Sequence, residues 1–387
     1  MRRERGHGLP PHEHRAPTEG GVRVGPLMNL HALVAELGAD PRRVFADTGF
    51  HPTQLEDPDA EVPFVAGSRL LAHAVATTGC EQLGLLLGER AEVSALGVTG
   101  FMLQCAPDVE TALDDLVHYL DLHDRGATVM LSVEGGQARV GYSAHLSGVQ
   151  ALAQIYDLAI TVICKIMRKL CGGSWNPTEV LLSRRAPQEV APYRRFFRAP
   201  LRFDTPQSSL CFPTHCLSEP VRSADPLLHR HLEQVATRLH ANRHSSLTSE
   251  AQGLMRRTLA DGKCRVDVIA SQLGMHERTL HRHLQLEGTT FRRELDGIRY
   301  ETARRLLTDT SVPLSQIAAA LDYADATAFI RAFKRWSGQP PSEWRRDHRT
   351  QRAPEPSSQV QERWSAQECE ARPRRNRAAA NEAAGPG

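Results

Sequence analysis

Between Cys264 and Arg346 one short pattern occurs twice, and this repeat constrains the fold more than any other stretch of the chain. The first copy reads Ile269-Ala270-Ser271-Gln272-Leu273-Gly274-Met275 and runs on into a polar segment carrying Leu280, Arg282 and Leu284. The second reads Ile317-Ala318-Ala319-Ala320-Leu321-Asp322-Tyr323 and runs on into a polar segment carrying Phe329, Arg331 and Phe333. In each copy an apolar face at helical spacing meets a tight turn, and a second helix follows whose apolar positions leave an Arg on the opposite side. The pattern predicts two helix-turn-helix units in tandem.

In the first unit Val266, Ile269 and Leu273 form one apolar face and Gly274 supplies the turn. The next helix then presents Arg278, His281 and Arg282 away from Leu280 and Leu284. An exposed helix of this width fits the major groove of DNA, where an Arg fork can bond both acceptors on a guanine edge. Phe291 to Leu307 predicts a longer connecting helix that buries Leu295, Ile298, Ala303, Leu306 and Leu307 and turns Arg292, Arg293 and Arg304 outward. It must hold the two units apart at the groove repeat of about 34 Å. In the second unit Leu314, Ile317 and Leu321 form the first face, and Phe329, Ala332, Phe333 and Trp336 anchor the second helix. That leaves Thr327, Ile330 and Arg331 on the groove side, with Asp325 placed to cap the helix start. Lys334, Arg335, Arg345 and Arg346 are placed for phosphates, which give affinity without sequence information. Gly338-Gln339-Pro340-Pro341 closes the helix and leads to Trp344, a packing anchor. Any helical repeat with surface Arg carries solvated charged faces; two copies in register, a connecting helix and a closing turn favour a DNA-reading surface over that plainer reading.

Bulk charge cannot carry the nucleic-acid argument, because the 387-residue chain has a formal net charge of only +2. The case rests on where the arginines fall. No apolar run is long enough to cross a bilayer. The start, Met1-Arg2-Arg3-Glu4-Arg5, is basic, but His, Pro and Gly follow where a signal peptide needs an apolar block, so export is not expected. Eight scattered cysteines without a paired framework suit a reducing cytoplasm. Cys211, His215 and Cys216 come nearest to a metal cluster but lack a matching second pair, so no metal or other cofactor is expected. The chain shows no phosphate-cradling glycine motif, nucleophile elbow or metal helix, and no catalytic residue is assigned. A DNA-repair enzyme fused to a DNA-binding domain is the enzymatic alternative; it would need an activated cysteine, and none stands in a reactive context.

The remaining chain divides by composition. Residues 1–26 are rich in Arg, His, Pro and Gly and read as a disordered arm. Met28 then opens an amphipathic run, Leu30, Leu33, Val34 and Leu37, ended by Gly38, a contrast that a start codon assigned too early would explain. Residues 27–216 mix helix and strand. Helices are expected over 66–78, 109–123 and 148–171, and a hairpin pairs Ala127 to Val133 with Ala138 to Ser143 around Glu134-Gly135-Gly136. Further strands fit 179–183, 201–203 and 209–212. The fold class is therefore an α+β domain, helices on an antiparallel sheet, followed by an all-α domain of two helix-turn-helix units joined by a linker helix. Residues 217–246 form a helix and linker: Asp225-Pro226 opens a run of Leu227, Leu228, Leu232, Val235, Ala236 and Leu239 that suits either a dimer contact or packing on its own domain. The tandem motif fills 247–346. Residues 347–387 read as a disordered tail whose basic patch, Arg372-Pro373-Arg374-Arg375-Asn376-Arg377, is a solvated run or a weak phosphate contact.

The tandem segment resembles the AraC/XylS family of bacterial transcription regulators. The resemblance rests on Ile269-Ala270 with Leu273-Gly274-Met275, Arg278-Thr279-Leu280-His281-Arg282-His283-Leu284, Glu287-Gly288-Thr289-Thr290-Phe291, Arg299 with Ala303 and Leu306-Leu307, and Ile317-Ala318 through Phe329 to Trp336, Gly338 and Pro340. Upstream, Leu83-Gly84-Leu85-Leu86-Leu87-Gly88, Ala95-Leu96-Gly97 and Ala199-Pro200-Leu201-Arg202-Phe203 resemble the arabinose-binding-type sensor of one branch of that family. The resemblance implies a cytoplasmic, nucleoid-associated homodimer that binds promoter DNA under control of a small-molecule effector and activates transcription through RNA polymerase. A ligand-independent regulator whose first domain only dimerises or binds a protein is the alternative. Two residues depart from the family pattern. His276 stands where the family mostly has a capping Ser, so about 1 kcal/mol of cap stabilisation is expected to be missing. Asp322 stands where the second turn usually has Gly, which it can replace in a left-handed backbone at some strain. The second unit is accordingly expected to be the better ordered.

Overall fold

The computed structural model describes residues 20–350 apart from 47, 49, 147, 244, 245, 261 and 263. The arm before residue 20 and the tail beyond 350 lie outside the described residues. The expectation of disorder up to residue 26 needs correction, because the fold begins earlier. Gly21–Arg23 is strand β1, which pairs antiparallel with β2, Glu61–Pro63, in the register Val22 to Val62. Val24 is fully buried, and the short turn Gly25–Leu27 tucks Leu27 into the same core. Only glycine fits at position 25, since a Cβ there would lie 2.4 Å from the Ala95 carbonyl oxygen. A compositional reading of this Gly/Pro segment as an arm misses these tertiary contacts.

Helix α1, Leu30–Glu36, buries Leu30, Leu33 and Val34, and α2, Pro41–Phe45, is capped by Asp40 accepting from the Arg42 amide at 3.0 Å. Then come α3 (Phe64–Thr78), α4 (Leu83–Arg90), α5 (Val98–Cys105) and α6 (Val109–Tyr119). Asp108 caps α6 at the Thr111 amide, 2.8 Å. The helix expected to run to residue 123 stops at Tyr119, and a tighter turn, Leu120–Leu122, finishes it. Strands β3, Ala127–Glu134, and β4, Gln137–Ala144, form the expected hairpin, with Glu134 paired to Gln137 so that the turn is Gly135 and Gly136 alone. Both glycines have positive φ, +58° and +80°, as a two-residue hairpin turn of the twist-compatible kind requires.

The long core helix α7 runs Leu152–Cys171. After it come β5 (Glu179–Leu181), α8 (Ala191–Phe197), β6 (Leu201–Arg202) and β7 (Ser208–Pro213). The sheet order is β3-β4-β7-β5-β6. All its pairs are antiparallel except β5 with β6, which correct the antiparallel expectation: α8 serves as the crossover that a parallel pair needs. Helix α4 lies directly on α7 because of its glycines. A Cβ at Gly84 would meet the Gln154 carbonyl oxygen at 2.1 Å, and one at Gly88 would meet Thr161 Cβ at 2.7 Å. The motif from Leu83 to Gly88 is thus a close-packing face. Beneath it Asp157, fully buried, accepts from Arg184 and, at 2.6 Å, from the Tyr193 hydroxyl. Removing one member of such a buried pair typically costs about 3–5 kcal/mol, because the other charge is left stranded.

Helix α9, Pro226–Arg243, packs on the first domain. Ala236 closes a small cluster with Met102, Tyr119 and Leu122, and His229 Nε2 meets Asp115 Oδ2 at 2.7 Å. The flank beside that packed face exposes Leu228, Val235 and Leu239, and the first turn exposes Leu227. The second domain comprises α10 (Leu247–Ala260), α11 (Val266–Gln272), α12 (Glu277–Leu286), α13 (Phe291–Asp309), α14 (Leu314–Ala320), α15 (Ala326–Ser337) and α16 (Pro341–Thr350). One core joins both helix-turn-helix units through α13, including Met255, Ile269, Leu280, Leu306, Ile317 and Phe333. The domains touch where Arg257 donates to the Val117 carbonyl at 3.1 Å and where the Ser311 amide donates to Asp204 at 2.7 Å.

Candidate nucleic-acid interface

In the first unit Gly274 turns with φ +64°, and the Met275 amide donates back to the Ala270 carbonyl at 2.9 Å. Helix α12 then starts at a real cap: His276 Nδ1 accepts from the Arg278 amide, at a long 3.3 Å. The expectation of a missing cap is corrected to a weak one. Leu280 and Leu284 are fully buried, and Arg278, His281 and Arg282 are exposed on the other side of the same helix.

The second unit turns on Asp322, whose φ of +57° places a non-glycine residue in the left-handed region. Arg299 of α13 steadies it, donating to the Asp322 carbonyl at 3.3 Å with its guanidinium carbon 4.9 Å from the Tyr323 ring centroid. Burial pushes the Tyr323 phenol up, and Arg299 counters part of that shift. Asp325 caps α15 by accepting from the Ala328 amide at 2.7 Å. Phe329 and Phe333 are fully buried, while Thr327 and Arg331 are exposed and Ile330 is half-buried. Trp344 meets Phe333 edge-on, ring centroids 5.8 Å apart, as a packing anchor should.

The cationic residues around these helices divide into distinct environments. Lys334 and Arg335 are exposed on the last turns of α15, Arg335 pairing with Asp296 at 3.3 Å. Arg346 is exposed beside Asp347 at 3.7 Å. Arg345 is different: it is half-buried and donates to the Val312 carbonyl, tying α16 to the segment before α14. Arg304, expected to point outward, packs between the rings of Tyr300 and Trp344 at 5.6 and 5.3 Å from their centroids. Between α13 and α15 a cleft is lined by Arg292, Arg299, Arg331 and Arg335.

Residues 38–221 match the family described as the arabinose-binding domain of AraC transcription regulator, and residues 269–347 match a helix-turn-helix domain family. The chain belongs to the AraC/XylS family. The transcriptional regulator VirS of Mycobacterium tuberculosis is 28% identical over 84% of this chain and 96% of its own length. The ornithine utilization regulator of Pseudomonas aeruginosa is 27% identical over 81% of this chain and 93% of its own. Among solved structures, the transcriptional regulator CdpR from Pseudomonas aeruginosa aligns over 76% of this chain and 96% of its own, with 23% identity and a TM-score of 0.40. The protein is a DNA-binding transcription regulator with an α+β first domain and a helical second one.

Within this AraC/XylS frame, sequence reasoning quoted Arg299 only as part of the resemblance, and the structure gives it work at the second turn. A cation seven residues after Arg292 on a helix facing the second unit was the available signal. Among the described residues no single helix is long and apolar enough to cross a membrane. His215 and Cys216 cluster with Glu219 rather than with Cys211, their ligand atoms within 4.8 Å of one another. Burial pushes the thiols of Cys80, Cys105, Cys164, Cys171, Cys216 and Cys264 up, Cys164 to about 11 and Cys171 to about 12. That is the opposite of what an alkyl-accepting nucleophile needs.

Proposed function

We propose that this protein is a cytoplasmic one-component regulator that reads two successive major-groove segments of promoter DNA and changes its grip when its first domain takes up a small molecule. The observation that carries the reading is the division of each reading helix. One side is locked into a single core shared by both units, and the other presents Arg278, His281 and Arg282 or Thr327 and Arg331 to solvent, with half-buried Ile330 beside them. Base contacts from those faces specify sequence, and Lys334, Arg335 and Arg346 add phosphate attraction. The cleft beside Arg331 supplies further cations for the same strand.

Homodimerisation through the outer face of α9 fits this reading. Leu228, Val235 and Leu239 recur at spacings of seven and four, a seam that a second α9 can cover, while the inner face is already occupied. Activation through RNA polymerase, rather than repression, follows the family habit, and the function needs no catalytic residue. Selection of binding sites from randomised duplexes tests the reading. Arg282→Ala and Arg331→Ala should each cost about 1–3 kcal/mol and relax base choice at separate positions. Unchanged preference in both variants would remove the assignment of the reading faces.

A further inference from the structure

The first domain holds a partly open cavity of about 90 Å³ between α3, α7 and the hairpin. Most of its wall is aliphatic, with Leu27, Leu71, Val129, Ile155, Val162 and Ile166 among the lining side chains. Apart from Ser68 on α3, whose hydroxyl donates to the Val65 carbonyl and accepts from the Gln150 amide, its polar groups gather where β1 meets the segment after α6: Arg23, His123, Asp124 and the Tyr142 ring all line it. The backbone fixes that corner. The Arg23 amide donates to the His123 carbonyl at 2.9 Å, and the Arg125 amide to the Gly21 carbonyl at 2.9 Å. Gly97 makes room for the guanidinium, since a Cβ there would lie 2.8 Å from Arg23 Cζ.

The four polar groups are not equivalent. Both oxygens of Asp124 are engaged: Oδ1 accepts from the Gly126 amide at 2.7 Å and Oδ2 from the Tyr142 hydroxyl at 2.6 Å. His123 is 7% exposed, and its Nδ1 has no hydrogen-bond partner among the described residues. Burial and the neighbouring Arg23 charge hold its pKa down to about 3, so at neutral pH the ring is neutral and has one N–H to give. A buried polar atom left unmatched is costly, and a ligand acceptor removes that cost. Arg23 pairs with Asp59, whose carboxylate is 74% exposed and therefore sits on the solvent side of the guanidinium. Donors stand at one end of an apolar chamber, and the nearby acceptor is occupied.

We propose that this cavity is the effector site and that it takes a small monocarboxylic acid, its carboxylate on Arg23 and His123 and its hydrocarbon body among the α3 and α7 side chains. The assignment deepens the effector-controlled reading above and rests on it. A cavity of about 150 Å³ holds benzene, so this one holds a body of about four carbons. A sugar or a zwitterionic amino acid would leave hydroxyls or an ammonium unmatched against aliphatic walls.

The probe is sodium isovalerate, titrated into the full chain by calorimetry without DNA, with isoamyl alcohol and isoamylamine as neutral and cationic partners of the same body. The acid should bind and the other two should bind at least about tenfold more weakly, the ratio one charge-assisted contact supplies. Gly67→Leu is the blocking variant, because Gly67 lines the chamber and the atoms nearest to a Cβ there, on the Leu27, Val22 and Val62 side chains, stand off at 3.8–3.9 Å. It should abolish binding while melting no lower than the parent. Asp59→Asn, which removes the exposed carboxylate sharing the guanidinium, should tighten the acid and leave the alcohol alone. No heat with the acid, undiminished binding to a folded Gly67→Leu, or equal binding of acid and alcohol would each overturn the proposal. DNA affinity of the same preparations, measured without ligand, reports separately on the regulator reading, which survives any of those failures if the duplex is still bound.

Discussion

Arg305, on the helix that joins the two helix-turn-helix units, stands over the ring of Tyr156 in the first domain, its guanidinium carbon 5.6 Å from the ring centroid. The same side chain donates to Ser143 Oγ at 3.1 Å and to the Ala144 carbonyl. Tyr156 in turn meets Tyr142 edge-on at 6.1 Å between centroids, and Tyr142 lines the cavity. Packed rings therefore run without a break from the cavity wall to the helix that sets the spacing of the reading units. Such a chain is a physical route for coupling only if both ends bias one movable element.

Arg305→Ala tests the docking. It removes a cation–ring contact and two hydrogen bonds at a domain boundary, and should loosen the domains by about 1–3 kcal/mol. Proteolysis between α9 and α10 should accelerate and amide exchange at Ser143 and Ala144 should rise, with the second domain still folded on its own core. Identical proteolysis and exchange in the variant would mean that the contact does not hold the domains together.

On sequence grounds Arg345 and Lys334 both suit phosphates, yet their surroundings differ. Arg345 satisfies the Val312 carbonyl and is half-buried, whereas Lys334 is exposed. Lys334→Ala should weaken binding to all duplexes alike and lower the salt slope by about one ion. Arg345→Ala should instead lower the stability of the second domain by about 1–2 kcal/mol, chiefly through the carbonyl it leaves unmatched. Thermal melts and salt titrations of the two variants separate the roles, and an equal loss of salt slope in both would restore Arg345 to the phosphates.

The helix caps rank the two units. His276 caps α12 through a 3.3 Å bond, whereas Asp325 caps α15 at 2.7 Å with a charged acceptor. Amide protection in α15 should exceed that in α12 in the absence of DNA. His276→Ser should add about 0.5–1 kcal/mol and narrow the gap. Equal protection in the parent would show that the shared core, not the caps, governs local order.

The helical domain was legible in sequence because its information is local. Ile269 and Leu280, or Ile317 and Phe329, lie within a dozen residues of each other, and their spacing encodes both the helices and the turn. Asp322 was read as a left-handed residue for the same reason, since Asp tolerates that backbone through its own side chain. The first domain yielded its hairpin and long helix but not its start. Val24 and Leu27 are recognisable as core only once β1 is paired with a strand some forty residues later. The cavity was equally out of reach, because Arg23, His123 and Gly67 share it only through tertiary packing. Sequence spacing puts Arg304 on the solvent side and Arg345 on phosphates, but a long apolar stem and planar head also let Arg304 pack on rings and Arg345 bond a carbonyl, contacts that no spacing encodes.

Asp124 and His123 are adjacent buried residues with opposite responses to pH. Burial raises the Asp124 carboxyl from 3.8 to about 6 against the Tyr142 and Gly126 bonds that oppose it, and lowers His123 from 6.5 to about 3. Between the two Asp124 values the folded state keeps a proton that the unfolded chain releases, so this residue's contribution to stability is lost as pH rises through the window. Between the two His123 values the unfolded chain binds a proton that the folded state refuses, so its contribution is lost as pH falls. The slopes oppose, each reaching at most about 1.4 kcal/mol per pH unit, and they largely cancel from about pH 4 to 6. Asp124→Asn removes the falling slope alone. Its stability relative to the parent should therefore climb with pH across that window and level off above about pH 7. His123→Gln should show the mirror trend, losing ground to the parent as pH rises through the same window. Urea unfolding at closely spaced pH values reads both differences, and a flat Asp124→Asn difference would mean that its carboxyl titrates as an ordinary one.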